Sequence, residues 1–512
     1  MSILDRAATV TDFVRLQASD SPAIWFEGRE VSYATLDRRS NQCAQALLAA
    51  GVAPGDRVAA LTKNCDEFAV LWFGAMKVRA CTVPVNTRLA AQEIASIIGH
   101  SGASMVFVGP EFMAMLPAIR GACPDVTRAI ALEGEFGNWI DAYPASDPLL
   151  AADANDDIVQ LYTSGTTGLP KGVPLTHTNF IGQLRSGSQQ EFGAWEAGSS
   201  SLVALPVFHV AGAVGLQFAM LKGARAVMVR DIVPSELARL ISEQGINYAF
   251  LTPTVIHFIL AVPGIENGDF SALKHMYYGA SPISEDLLKR AMARFPCHFS
   301  QVYGMTEATG VVTSLPPDRH VPGKLLSCGQ PVPGVELRIV DANGRDVPQG
   351  AVGEITVRAP FVMRGYWNQP EATAAVLSAD GWYRTGDAGW LDVDGDLFIH
   401  DRIKDMIVSG GENVYPAEVE NALAGHPDIF EVAVIGVPDD RWGESVKAIV
   451  VPKPGHAQDP ESVIAWARAR IGGFKVPKSV DFVDAMPRNA TGKVLRRVLR
   501  DPYWEGVGRR VA

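Results

Sequence analysis

Residues 163–173 read Thr163-Ser164-Gly165-Thr166-Thr167-Gly168-Leu169-Pro170-Lys171-Gly172-Val173, and no other stretch limits so sharply what this chain can build. Four hydroxyls, three glycines and one ammonium lie within it. Glycines let backbone N–H groups crowd around an anion, hydroxyls donate to its oxygens and Lys171 adds a point charge. The apolar run Ile158-Val159-Gln160-Leu161-Tyr162 precedes it and Val173-Pro174-Leu175 follows, which predicts a loop between two strands. The spacing GxxxxGK[ST] is absent and no helical pattern follows Lys171 at once, so a Walker loop is excluded. The run predicts a polyphosphate cradle and leaves kinases, nucleotide sensors and ligases open.

A chain of 512 residues is long enough for at least two domains with large cores, and 47% hydrophobic with 20% charged residues is a globular composition. A net charge of −11 argues against general nucleic-acid or anionic-membrane binding, so the phosphate site must be local. Cys43, Cys65, Cys81, Cys123, Cys297 and Cys328 form no CxxC pair and read as small apolar core residues. With no signal-peptide core after Met1 and no apolar run long enough to span a bilayer, a cytoplasmic location is expected.

From about Trp25 to Val340, helices alternate with short apolar strands such as Arg57–Leu61, Met105–Val108 and Tyr248–Leu251, the pattern of a largely parallel α/β body. After Gly329 the texture turns to hairpins, Val335–Val340 and Gly353–Arg358 about a turn at Asn343-Gly344, which predicts a small barrel or sandwich appended to the body. Asp392, Asp394 and Asp396 suggest a calcium loop, but Gly395 falls at position four and Ile403 at position twelve, so a hairpin turn is expected. Beyond Asp401 the chain reads as a compact α+β domain, with a helix from Pro416 to Gly425, strands Glu431–Gly436 and Val446–Val451, and a helix over Val463–Ile471. The fold class is therefore α/β: a large N-terminal domain, 1–403, of two α/β subdomains plus a small β-barrel, and a small mobile α+β domain, 404–512.

Four further segments give the cradle a context. Gln301-Val302-Tyr303-Gly304-Met305-Thr306-Glu307 sets an aromatic face beside a carboxylate, suited to a purine and a hard cation. Trp382 to Asp387 offers a carboxylate after a turn. Asp401 to Glu420 carries Arg402, Lys404, Gly410 and Gly411, and Pro487 to Lys493 places a lysine just past a glycine turn. The helix after Lys493 is basic and amphipathic, and its arginines 496, 497 and 500 read as a solvated face. His177, His257, His275 and His400 read as structural or surface residues.

Together and in this order, these segments resemble the adenylate-forming family of acyl-CoA synthetases, luciferases and peptide-synthetase adenylation domains over nearly the whole chain. The resemblance implies an AMP-forming acid–thiol ligase. A carboxylate attacks the α-phosphate of Mg·ATP, pyrophosphate leaves, and the acyl-adenylate is passed to coenzyme A. It further implies that Thr163, Ser164, Gly165, Thr166, Thr167, Gly168 and Lys171 handle the β- and γ-phosphates and that Glu307, with Thr163, ligates magnesium. Tyr303 and the Gly279-Ala280-Ser281 backbone hold adenine, Gly304 and Thr306 belong to the same ATP site, Asp387 and Arg402 bind ribose, and Lys493 bridges the attacking carboxylate and the α-phosphate. Lys404 becomes the hinge of a rotating C-terminal domain, and Gly410, Gly411, Trp442, Phe474 and Lys475 approach coenzyme A. Asp401 stands where a glycine is common in the family.

His209, Val210 and Gly212 fall where the family's acyl pocket begins. Amino-acid adenylation domains place an aspartate there, and a neutral histidine cannot hold an ammonium, so amino acids are disfavoured. The apolar residues after His209 suit a medium or long fatty acid first, then an aryl acid such as a benzoate or cinnamate, then a dicarboxylate. Rival readings are a luciferase-like oxygenase, a fatty-acyl-AMP ligase that ignores coenzyme A, and a carrier-linked module, which would need a carrier domain beyond Ala512. Expected partners are a small carboxylic acid, ATP and coenzyme A, with no nucleic acid and no membrane span; monomer and homodimer stay open.

Overall fold

A computed structural model describes residues 3–163, 170–190, 193–456, 458–489 and 492–505, with Lys404 described by its backbone alone. Two sheets form the body. The first has six strands in the order Arg128–Ala131, Ala103–Val108, Arg57–Leu61, Cys81–Pro84, Asp157–Thr163 and Lys171–Thr176, all parallel except the last pair. Arg57–Leu61 and Cys81–Pro84 are buried at every residue, as central strands under helical crossovers must be.

The second sheet has nine strands. Its centre, from His298–Met305 through His275–Gly279, Tyr248–Leu251, Ser200–Val203 and Arg225–Met228 to Pro22–Phe26, is parallel, and antiparallel strands edge both sides. One continuous apolar core spans both sheets, joining Phe68, Trp72 and Phe180 to Phe26, Leu216 and Met220. Two glycines permit close backbone approach here. A Cβ on Gly279 would lie 2.0 Å from the Val302 carbonyl oxygen, and one on Gly304 would lie 1.8 Å from that of Gly310.

The hairpin region forms a four-stranded antiparallel meander, Glu336–Val340, Gly353–Arg358, Tyr383–Leu391 and Leu397–Arg402. Among the described residues its outer strands do not pair, so an open meander stands where the sequence suggests a barrel. The Asp392–Asp396 segment is the expected hairpin turn. Its carboxylates lie within 4.8 Å of one another, and the Lys324 ammonium contacts all three, at 2.7 Å from Asp394 and 2.9 Å from Asp396, while Arg319 adds a second cation at 2.7 Å from Asp396, which offsets much of the cluster's charge from within the protein.

The C-terminal part has its own sheet, Glu412–Val414, Ile407–Ser409, Gly443–Pro452 and Ile429–Asp439, with Ser479–Phe482 added in parallel to Gly443–Pro452. Separate apolar clusters cover its two faces, one around Val419, Val434 and Val450, the other around Ile435, Ile449 and Met486. The helices run Pro416–Leu423, Pro460–Arg468 and Arg496–Trp504. Arg496 and Arg500 do not join a solvated face. Their side chains are 15% and 18% exposed and turn inward to carboxylates, and Arg497 alone of the three is solvated, at 74%. All six cysteines are free thiols, five of them buried, and no helix among the described residues is long and apolar enough to cross a membrane.

Candidate active site

The cradle sequence closes a hairpin. Asp157–Thr163 and Lys171–Thr176 pair antiparallel, with Thr163 opposite Lys171 at the mouth. Ser164, Gly165, Thr166, Thr167 and Gly168 lie outside the described residues. Lys171 points its ammonium at the Tyr366 ring, 4.7 Å from the centroid, and the Tyr366 hydroxyl donates to Glu307 Oε1 at 3.0 Å. One aromatic residue thereby ties the cradle's cation to the carboxylate of the Tyr-Gly-Met-Thr-Glu run.

Glu307 and Thr306 sit in a short 3-10 turn that follows the strand His298–Met305 and is buried against the body. Tyr303, on that strand, donates its hydroxyl to Asp387 Oδ2 at 2.7 Å. Asp387 and Arg402 are register partners on neighbouring strands, with Arg402 Nε 3.3 Å from Asp387 Oδ1. Burial and the adjacent Asp387 charge push the Tyr303 phenol well above its ordinary range, so it remains a donor.

Above these residues opens a cavity of about 1040 Å³ between the large and small parts of the chain. Its wall includes Ala280, Ser281, Tyr303, Gly304, Glu307, Asp387, Arg402 and Lys493. Ala280 holds φ +63°, a left-handed conformation that costs an alanine roughly 1 kcal/mol and turns the 279–281 backbone along the cavity edge. Lys493 enters from the small part. Burial and the positive charge of Arg402 lower its pKa, while Asp387 opposes them. The volume and the gathering of Asp387, Arg402 and Lys493 on one wall fit a nucleotide, and the buried Glu307 carboxylate is a hard-cation donor.

The other predicted residues lie elsewhere. His209, Val210 and Gly212 do not line this cavity. His209 precedes the helix Val210–Lys222, and burial lowers its pKa to about 4, which keeps the ring neutral. Gly212 is explained by packing: a Cβ there would lie 2.3 Å from the Pro206 carbonyl oxygen. Gly410 and Gly411 take φ +61° and +87° in the turn between Ile407–Ser409 and Glu412–Val414, a two-residue hairpin that demands glycine-like torsions. Trp442 packs over Gly410, Lys475 pairs with Glu418 at 2.6 Å, and none of the five residues expected near coenzyme A reaches the cavity. Lys404 falls in the 3-10 turn Ile403–Asp405 that joins the two parts.

Sequence reasoning missed Tyr383 and the segment Leu325–Cys328, part of the cavity wall, and Tyr366, which donates to the wall residue Glu307. Neither a lone tyrosine in Arg364-Gly365-Tyr366-Trp367 nor an apolar run carries a motif. Their contribution arises from tertiary placement.

A split α/β body with a lysine-bearing second domain closing over a nucleotide-sized cavity defines the class of adenylate-forming ligases. Residues 11–367 match the AMP-binding enzyme family and residues 418–493 match the AMP-binding enzyme C-terminal domain, and the chain belongs to that family. It is similar to the fatty acid–[acyl-carrier-protein] ligase ScoC of Streptomyces coeruleorubidus, at 41% identity over 99% of this chain and 98% of that protein. A feruloyl-CoA synthase of Amycolatopsis sp is 40% identical over 93% and 95% of the two chains. Among solved structures, the anthranilate CoA ligase AuaEII in complex with anthranoyl-AMP superposes with a TM-score of 0.91 at 28% identity, covering 98% of this chain and 99% of that one. The chain is accordingly an AMP-forming acid–thiol ligase.

Proposed function

We propose that the protein activates a medium- or long-chain fatty acid with Mg·ATP and transfers the acyl group to coenzyme A, with aryl carboxylates as the second substrate class. The observation that carries the reaction is the convergence of Lys493, Arg402 and Asp387 on one cavity wall. In this reading Asp387 and Arg402 take ribose hydroxyls, with Tyr303 bracing Asp387. Lys493 bridges the carboxylate oxygen and the α-phosphate, offsetting negative charge as pyrophosphate departs. Thr163, Lys171 and the intervening loop take the β- and γ-phosphates. Glu307, oriented by Tyr366, would hold magnesium with Thr163, and the ion would supply further charge neutralisation at the phosphates. Lys404 serves as the pivot between a large domain, 1–403, and a lid, 404–512. A neutral, half-buried His209 at the head of an apolar helix supports an uncharged acyl chain.

A carrier-bound phosphopantetheine thiol is the second acceptor, favoured by the 41% similarity to an acyl-carrier-protein ligase. Pyrophosphate release measured over fatty, aryl and dicarboxylic acids, with coenzyme A or holo-carrier protein as acceptor, tests both halves. Fatty acids with coenzyme A should turn over fastest. Faster turnover of aryl acids would overturn the substrate reading, and activity only with the carrier would overturn the acceptor.

A further inference from the structure

Asp401 lies on the large-domain side of the Ile403–Asp405 turn, and its carboxylate is spent on the other side. Oδ1 accepts from Arg496 Nη1 at 3.0 Å and Oδ2 from the Ala417 backbone N–H at 3.2 Å. Within its own strand it accepts only from the next residue's N–H, Arg402, at 2.8 Å. Asp401 is 7% exposed. Arg496 stands three residues beyond Lys493 and also donates to Glu420 at 2.7 and 3.1 Å, a pairing internal to the small domain. The far edge of the interface carries a second contact. Phe430 packs on His257 and Phe258 of the helix Pro253–Leu260, with ring centroids 4.7 and 6.2 Å apart, and Arg488 donates to Thr254 Oγ1 at 3.3 Å.

A rotation about residue 404 would carry Arg496 and the Ala417 N–H away from Asp401. Arg496 would keep Glu420, whereas Asp401 would lose both cross-domain donors, and a buried carboxylate without them is unfavourable. The asymmetry means that the Asp401 bonds stabilise this domain arrangement and no other that the rotation produces. We infer that Asp401 is a positioning residue, a hinge-side latch that weights the domain equilibrium toward the arrangement in which Lys493 faces the nucleotide cavity. Asp401 lies at the edge of the same cavity, with its carboxylate turned to Arg496, and it acts through Arg496 on the segment that carries Lys493. The inference rests on the two-step reading above.

The test measures the two half-reactions separately in Asp401→Asn: pyrophosphate release on adenylate formation, and thiol acylation from supplied acyl-adenylate. Adenylate formation should fall about tenfold, the scale of one charge-assisted hydrogen bond, while acyl transfer is unchanged or faster. Asp401→Glu should recover part of the loss. Phe430→Leu, at the far contact, should give the same split. Amide hydrogen exchange across residues 253–260, which touch Phe430 and not Asp401, should quicken in Asp401→Asn, a readout that needs no turnover. Equal loss in both half-reactions, or unchanged half-reactions with unchanged exchange, would overturn the latch. Wild-type enzyme that forms no thioester from any acid would instead sink the two-step reading, while the exchange result would still decide the latch.

Discussion

At the nucleotide end of the site, polar side chains hold one another in place before any ligand arrives: Tyr303 on Asp387, Asp387 on Arg402, Tyr366 on Glu307. Around His209, where we propose the acyl chain binds, there is no such network. His209 is half-buried, its buried Nε2 without a hydrogen-bond partner among the described residues, and in the helix that follows it both amide atoms of the fully buried Gln217 are likewise without one. One end is organised by charge and the other by shape. Electrostatic preorganisation acts on every substrate alike, because every acid passes through the same phosphate chemistry, whereas shape discriminates among acids.

The comparison is broken most severely at Lys493. Lys493→Ala should lower adenylate formation by roughly 10²–10³-fold, the usual cost of deleting a preorganised charge-stabilising group, and leave thiol acylation from supplied adenylate largely intact. Equal loss of both steps in rapid-quench assays would remove the assigned role. Next in size is Lys404→Pro. Fixing φ at the joint should spare pyrophosphate release and slow thioester formation about tenfold or more. Normal thioester turnover would show that the pivot lies elsewhere. A smaller effect is expected from Tyr366→Phe, which deletes one hydrogen bond to Glu307 and keeps the ring over Lys171. A loss of about 1 kcal/mol, near fivefold in kcat/KM for ATP and sensitive to magnesium concentration, is the scale of a single neutral-donor bond. Unchanged magnesium dependence would detach Tyr366 from the metal-binding role.

The nucleotide end was also the legible end. Asp387, Arg402, Glu307 and Lys493, singled out by motif order and the family resemblance, come together on one cavity wall, and strands such as Arg57–Leu61 and Tyr248–Leu251 announce themselves by apolar runs. Arg496 was misread as solvated because amphipathicity reports which residues are charged and not whether a carboxylate from another domain waits for them. The barrel reading failed for a related reason: hairpin signals fix neighbouring pairs and say nothing about closure between the first and last strands. Tyr366 and Gly212 became intelligible only with tertiary neighbours in place.

The smallest predicted effect probes the acyl end through its histidine. Burial, reinforced by the charge of Arg88, lowers the folded-state pKa of His209 to about 4 from the ordinary 6.5. Above pH 6.5 the ring is neutral in folded and unfolded chains, and its burial is fully tolerated. Between 6.5 and 4 the unfolded chain binds a proton that the folded chain refuses, so stability falls as pH falls, by up to about 1.4 kcal/mol per pH unit for one such group. His177, His257 and His275, also lowered to about 4 by burial, add slopes of the same sign. His209→Phe should therefore unfold with a shallower pH dependence than the wild type in denaturant titrations between pH 4 and 7, and converge in slope above pH 7. Parallel curves throughout would mean that His209 meets solvent or a counter-charge in the folded enzyme. In that case the acyl end would be organised by charge after all, and an acid carrying its own polar group would become the better substrate.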